Sequence, residues 1–180
     1  LRSAPGHMRN MSDSSLKLEI LNLYALNKLS DIDVIETGTS LTLGTDYSYK
    51  DKKNDFEKFN LSLGQVFNLK DNPNMSKKSS LNQKTSELVG NLNYNLNEFS
   101  NIEYKFSLDK TYNDLNYNEI SGIFKINKLV TNFEYLEENN HIGNSHYINA
   151  GLALELNESN AFKFKTSKNF TTDATEFYNI

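Results

Sequence analysis

The chain has 180 residues, enough for one domain or a piece of a larger one. Its hydrophobic content is 37% and it has no run of about 18 apolar residues, which excludes a transmembrane helix; a net charge of −4 without a basic stripe speaks against nucleic acid as a partner. Cysteine is absent, which excludes disulfides, thiol nucleophiles and cysteine-ligated zinc.

Both arginines, Arg2 and Arg9, fall at the start of the chain. Residues 1–8 (Leu-Arg-Ser-Ala-Pro-Gly-His-Met) are read as an expression remnant, and the domain as 9–180. Leu16–Leu26 is expected to form a leading strand, less regular than those that follow. From Gly38 onward period two dominates. Leu41, Leu43, Tyr47 and Tyr49 share one face, and Ser40, Thr42, Gly44, Asp46 and Ser48 the other. Phe59, Leu61, Leu63, Phe67 and Leu69 point away from Asn60, Ser62, Gly64 and Asn68. Leu88, Leu92, Tyr94 and Leu96 alternate with Asn91, Asn93 and Asn95. Ile102, Tyr104, Phe106 and Leu108 alternate with Glu103, Lys105, Ser107 and Asp109. Further strands are expected around Ile120–Ile126, Leu129–Tyr135, Ile148–Leu156 and Phe162–Lys165.

These strands are longer than the ~5–6 residues usual in soluble sheets, and a tilted strand needs ~9–11 to cross a bilayer. Connections alternate in length. Leu96–Phe99, Ile126–Leu129 and Leu156–Ser159 read as tight turns. Lys70–Lys84, Lys110–Leu115, Glu137–Ser145 and Lys168–Asp173 read as longer polar links, and Lys50–Asp55 as intermediate. Short turns at one rim and long loops at the other fit an outer-membrane barrel. The expected fold is all-β: an antiparallel up-and-down meander of about nine or ten long strands, part of a transmembrane β-barrel. A soluble β-sandwich or small barrel that binds a lipid or other ligand shows the same alternation and stays open as the alternative.

No residue pattern calls for catalysis. His141 and His146 sit near Glu137 and Glu138, but a metal needs three or four converging ligands. Asp71-Asn72-Pro73-Asn74 lacks the central glycine and terminal glutamate of a calcium loop. There is no Gly-x-Ser-x-Gly elbow, phosphate loop or dinucleotide fingerprint. No catalytic, cofactor-binding or metal-binding residue is therefore assigned, and no enzyme is expected.

Residues Asn22–Thr39 carry a denser signal. Asn22, Leu23, Tyr24, Leu26, Asn27, Lys28, Leu29, Ser30, Asp33, Glu36, Gly38 and Thr39 fit the pattern N-[LI]-[FY]-x-[LIV]-N-[RK]-[FL]-S-G-x-D-R-x-E-x-G-[TS]. Asp31 and Val34 depart from its Gly and Arg. Further pieces follow in order at Leu61–Phe67, Lys84–Gly90, Tyr104–Asp109, Asn116–Ile120, Phe133–Glu138 and Thr172–Asn179. With these the chain resembles the C-terminal barrel region of LptD, the outer-membrane lipopolysaccharide-assembly (organic solvent tolerance) family. The resemblance implies part of an oversized barrel in the Gram-negative outer membrane. Such a barrel receives lipopolysaccharide from a periplasmic bridge, surrounds a lipoprotein plug and delivers the lipid to the outer leaflet without chemistry. Ser40, Thr42, Ser62, Asn91 and Asn93 are then the candidates for the lumen-facing surface, with outer-membrane lipid on the other side.

Overall fold

Alternating side chains give a strand one apolar and one polar face, and paired strands must share those faces. The computed structural model describes residues 2–4, 17–29, 36–52, 55–139, 144–157 and 160–179. Its strands are β1 (Arg2–Ala4), β2 (Gly38–Asp51), β3 (Phe56–Asn68), β4 (Leu88–Asn97) and β5 (Ser100–Leu108), then β6 (Leu115–Ile126), β7 (Leu129–Glu138), β8 (His146–Asn157), β9 (Asn160–Asn169) and β10 (Ala174–Asn179). All lie in one sheet in chain order, and every pair is antiparallel. The sheet is open, with β1 and β10 as its edges. Among the described residues there is no α-helix, only a 3-10 turn at Lys77–Ser79.

Register fixes the facing. Leu61, Leu92, Tyr104, Ile120, Tyr135 and Ile148 form one row across six strands. The row behind it on the other face runs Ser62, Asn91, Lys105, Glu119, Leu136, Tyr147 and Asn169. Ring pairs tie the apolar face together: Tyr47 with Phe59 at 6.1 Å, Tyr104 with Phe106 at 5.5 Å, and Phe124 with Phe133 at 6.0 Å. Leu61, Leu92, Tyr104, Ile120, Tyr135 and Ile148 are half-buried among their neighbours, and much of the rest of this face is open. Leu43 is 54% exposed and Tyr47 58%, with Leu41, Tyr49, Tyr94 and Phe162 also open.

Turn lengths alternate as expected. β4 and β5 are joined by Glu98-Phe99 and β6 and β7 by Asn127-Lys128, with Asn127 at φ +53° in the left-handed region such short turns use. The turn at Leu156–Ser159 lies partly outside the described residues. At the opposite rim β3 and β4 are joined by the long link 69–87. It folds back on the sheet through Asn68, whose amide donates to the carbonyls of Leu81 (3.0 Å) and Gln83 (2.7 Å). Asn72-Pro73-Asn74 is a turn, closed by Met75 N–H donating to Asn72 O at 3.1 Å.

In the β5–β6 loop Asp109 ends the alternation. It accepts hydrogen bonds from the Thr111 hydroxyl and from the N–H groups of Asn113 and Asp114. The Thr111 bond first, then the backbone donors, hold its carboxyl down at about 2. A depressed carboxylate contributes stability above its unfolded value of about 3.9, and this is lost as pH falls toward about 2. An NMR titration should find that low midpoint, and Thr111→Ala should raise it; an unmoved midpoint would remove the assignment to Thr111.

The expected leading strand is a correction. Lys17–Leu29 forms turns and bends, not a strand. Two local causes act together. Ile20 and Leu21 place apolar side chains at consecutive positions, which breaks period two. Asn22 then captures the backbone: its Oδ1 accepts from Glu19 N–H at 2.8 Å and its Nδ2 donates to Lys17 O at 2.8 Å, bonds that compete with a ladder.

Candidate functional site

The segment Lys17–Leu29 lies as a strap on the polar face of β2–β6. Leu18, Leu23 and Leu29 are buried beneath it against Val66 and Val89, joined by Met75 and Leu81 of the long link. The buried core of the described residues thus lies on the polar face, while the apolar face stays largely open. Burial at about 25 cal/mol per Å2 makes this patch the strap's main anchor. On the strap's outer side Leu21 and Leu26 remain exposed, and Tyr24 is largely exposed although its hydroxyl reaches the wall.

Close approach needs gaps in the wall. Gly64 has no side chain where Leu23 packs, and Gly44 none where the Tyr24 hydroxyl sits. Gly64→Val should therefore lift the strap, at a cost of about 1–3 kcal/mol. Hydrogen exchange should speed up at Lys17–Leu29 while β3 keeps its protection. Unchanged exchange in the strap would contradict the contact.

Two polar devices fasten the strap's ends. At one end Lys28 Nζ stands 3.2 Å from Glu36 Oε1, with each side chain only 2% exposed. Lys28 N–H donates to Glu36 Oε2 (3.2 Å), and Glu36 N–H donates to Asn27 Oδ1 (3.0 Å). Asn27, Lys28 and Glu36, three residues of the dense pattern, so meet in one buried cluster. Ser30, Asp31, Asp33 and Val34 lie outside the described residues. At the other end Lys17 pairs with Glu19 (3.2 Å) and lies over the Tyr117 ring, 3.1 Å from its centroid. Burial lowers the Lys17 pKa, and Glu19 opposes that shift.

From Tyr117 a polar ladder crosses the wall. Tyr117 donates to Glu119, Lys105 bridges Glu119 (3.1 Å) and Glu103 (3.5 Å), and Asn91 donates to Glu103 at 3.0 Å. The sequence candidates Ser40, Thr42, Ser62, Asn91 and Asn93 all lie on this polar face, at registers set by Asn68, Val66, Asn91, Ser62 and Asn60 respectively. Ser40 and Ser62 are buried, and Thr42, Asn91 and Asn93 half-buried. Ser40 Oγ and Asn91 Oδ1 are buried without a hydrogen-bond partner.

Sequence reasoning missed the Lys28–Glu36 pair and the docked strap. The available signal was Val66 and Val89, apolar side chains at positions where the alternation calls for polar ones. His146 stands on the other face, its Nε2 3.0 Å from the Tyr135 hydroxyl and its ring 4.7 Å from Phe170. His141 lies outside the described residues. No group of three metal-ligating side chains occurs among the described residues.

No curated protein matches the chain. The family described as LPS transport system D does, over residues 8–170, nearly the whole meander. A nine-strand run of shared faces and a motif whose residues close on each other accompany that match, and the chain belongs to the LptD family.

Proposed function

We propose that residues 9–180 form a stretch of barrel wall in the Gram-negative outer membrane, within the translocon that delivers lipopolysaccharide to the outer leaflet. The observation that carries this reading is the open apolar face. A soluble sandwich would bury that face and leave the polar one in water; here Leu41, Leu43, Tyr47, Tyr49, Tyr94 and Phe162 stay exposed on it, and the buried apolar cluster of the described residues lies behind it. β2–β9 run from 9 to 14 residues, enough for tilted strands to cross a bilayer. Residues 1–8 are read as an expression remnant; the family match begins at residue 8, and β1 occupies only the first three residues of the β2 edge.

In this reading the apolar face meets outer-membrane lipid. Ser40, Thr42, Ser62, Asn91 and Asn93 face the lumen, where a lipoprotein plug sits, and a periplasmic bridge supplies the lipopolysaccharide. The wall works as a scaffold with no bond made or broken. A photo-crosslinking side chain at Asn93 of the full-length protein in cells should capture plug or lipopolysaccharide. The same group at Leu92 should capture bulk membrane lipid instead. Equal products from both positions, or recovery of the protein in the soluble fraction, would defeat the proposal.

A further inference from the structure

A registered row on the apolar face takes one side chain from every strand it crosses, so the apolar stretches of different strands can be compared level by level. They do not stay level. The row of Leu61 runs from Tyr47 on β2 to Lys168 on β9. On β2 the stretch reaches from Tyr49, one row toward the short-turn rim, to Leu41, three rows toward the long-loop rim. On β8 it begins at Ile148, in the Leu61 row itself, and continues through Leu152 and Leu154 to Leu156, four rows toward the short-turn rim. Leu41, Leu43, Leu154 and Leu156 are all exposed.

The polar edge follows the same slope. One row toward the long loops stand Thr45, Leu63, Gly90 and Phe106 on β2–β5. That row turns polar on β6–β8, as Asn118, Glu137 and His146. On β9 the change comes a row lower, at Lys168. At the other rim Asp51 follows Tyr49 as the next outward position on β2, whereas Ile126, Leu129 and Leu154 still form an apolar row on β6–β8. Gln65 is the one amide inside the stretch on β3. It is 6% exposed, with its Nε2 donating to Ser86 O (2.9 Å) and its Oε1 accepting from the Tyr112 hydroxyl (2.9 Å), so its polar atoms meet protein.

From β2 to β8 the stretch drops by three rows over six strand spacings. A row is two residues deep, about 6.7 Å, and a spacing is about 4.8 Å, so the drop is about 20 Å over about 29 Å. The slope is about 35°, and across it the stretch stands about 22 Å tall. Membrane barrels incline their strands by about 35–45° and carry an apolar band about 25 Å tall. A flat bilayer imposes one level on every strand, so inclined strands must each carry their apolar stretch at a different height.

We infer that this oblique belt is the lipid-contacting surface of the wall, and that the strands cross the bilayer inclined by about 35° from its normal. Glu137, His146 and Lys168 stand at the headgroup level on the long-loop side, and Asp51 stands at the opposite headgroup level. Tyr135 sits at the first of these boundaries, its ring in the belt and its hydroxyl 3.0 Å from His146 Nε2 and 3.2 Å from Glu137 Oε2. The inference deepens the wall reading and rests on it.

The test uses the full-length protein in phosphatidylcholine vesicles whose chains carry bromine either near the headgroup or near the chain end. A genetically encoded fluorescent amino acid replaces one residue at a time, and quenching by bromine reports its depth. Leu63 and His146 share a row, yet Leu63 should be quenched best by deep bromine and His146 by shallow bromine. Leu43 and Ala150 stand three rows apart, yet should be quenched alike. Where the fluorophore blocks insertion, urea titration in lipid supplies a second readout. Leu63→Arg should lower the folded-to-unfolded ratio by roughly thirtyfold or more, and His146→Arg by roughly fivefold or less. Equal quenching or equal arginine losses at Leu63 and His146, or unequal quenching at Leu43 and Ala150, overturns the inclination and leaves the wall reading intact. No quenching at any of the four positions defeats the wall reading, and the belt with it.

Discussion

Replacing Lys28 by methionine should cost about 3–5 kcal/mol of folding stability, the largest effect expected of any single change in the strap. The cause is what remains. Glu36 keeps its buried carboxylate, 2% exposed, with its cation gone. Its backbone bond from Lys28 and its own N–H bond to Asn27 hold the carboxylate in place, so it cannot swing out to water without opening the strap. The double variant Lys28→Met/Glu36→Leu removes both charges and should recover most of the loss, since a buried ion pair is often worth little more than well-packed apolar groups. Urea unfolding of the reconstituted full-length protein as wild type, Lys28→Met, Glu36→Leu and the double variant gives the four stabilities the cycle needs. If the double variant is no more stable than the single one, the pair is not coupled and the strap is held by apolar contacts alone.

A second contrast concerns the two faces. Leu61→Arg, at the middle of β3 on the apolar face, should lose about 2–4 kcal/mol of stability in lipid. Phe106→Arg, close to the end of β5, should lose less, because the penalty falls to about 0–1 kcal/mol near the interface. Asn93→Arg, on the polar face beside Asn60 and Glu103, should be mild. Folding titrations into phospholipid vesicles order the three. Equal losses at Leu61 and Asn93 would mean that neither face meets lipid alone, and the wall reading would fall with the facing.

Most of the sheet was legible because β2–β9 each carry one apolar face, and a one-residue slip would invert every side chain. Leu61, Leu92, Tyr104 and Ile120 could each be assigned to the apolar face of their strand from alternation alone; that they stand in one row is set by the register. The strap was not legible for the opposite reason. Leu18, Leu23 and Leu29 follow neither period two nor a helical period, and their burial depends on Val66, Val89, Met75 and Leu81, far away in the chain. Asn22 reads as one more asparagine in an asparagine-rich chain; only its bonds to Lys17 and Glu19 show that it turns the backbone. The site was partly legible. Polar positions could be assigned to a face, but the bonds that Glu103 and Glu134 accept from Asn91 and Asn149 depend on the register with the adjoining strands β4 and β8, which alternation does not give.

Because each strand pairs only with its neighbours in the chain, the hairpin is the natural unit by which such a wall grows or shrinks. Excising β6 and β7 together would leave β5 and β8 still antiparallel, each with its polar side chains on the same side as before. Excising one strand would reverse the direction of every strand after it and carry each later loop to the opposite rim. The circumference of a meander of this kind can therefore change only in even steps, and a viable shortened variant must lose an even number of strands.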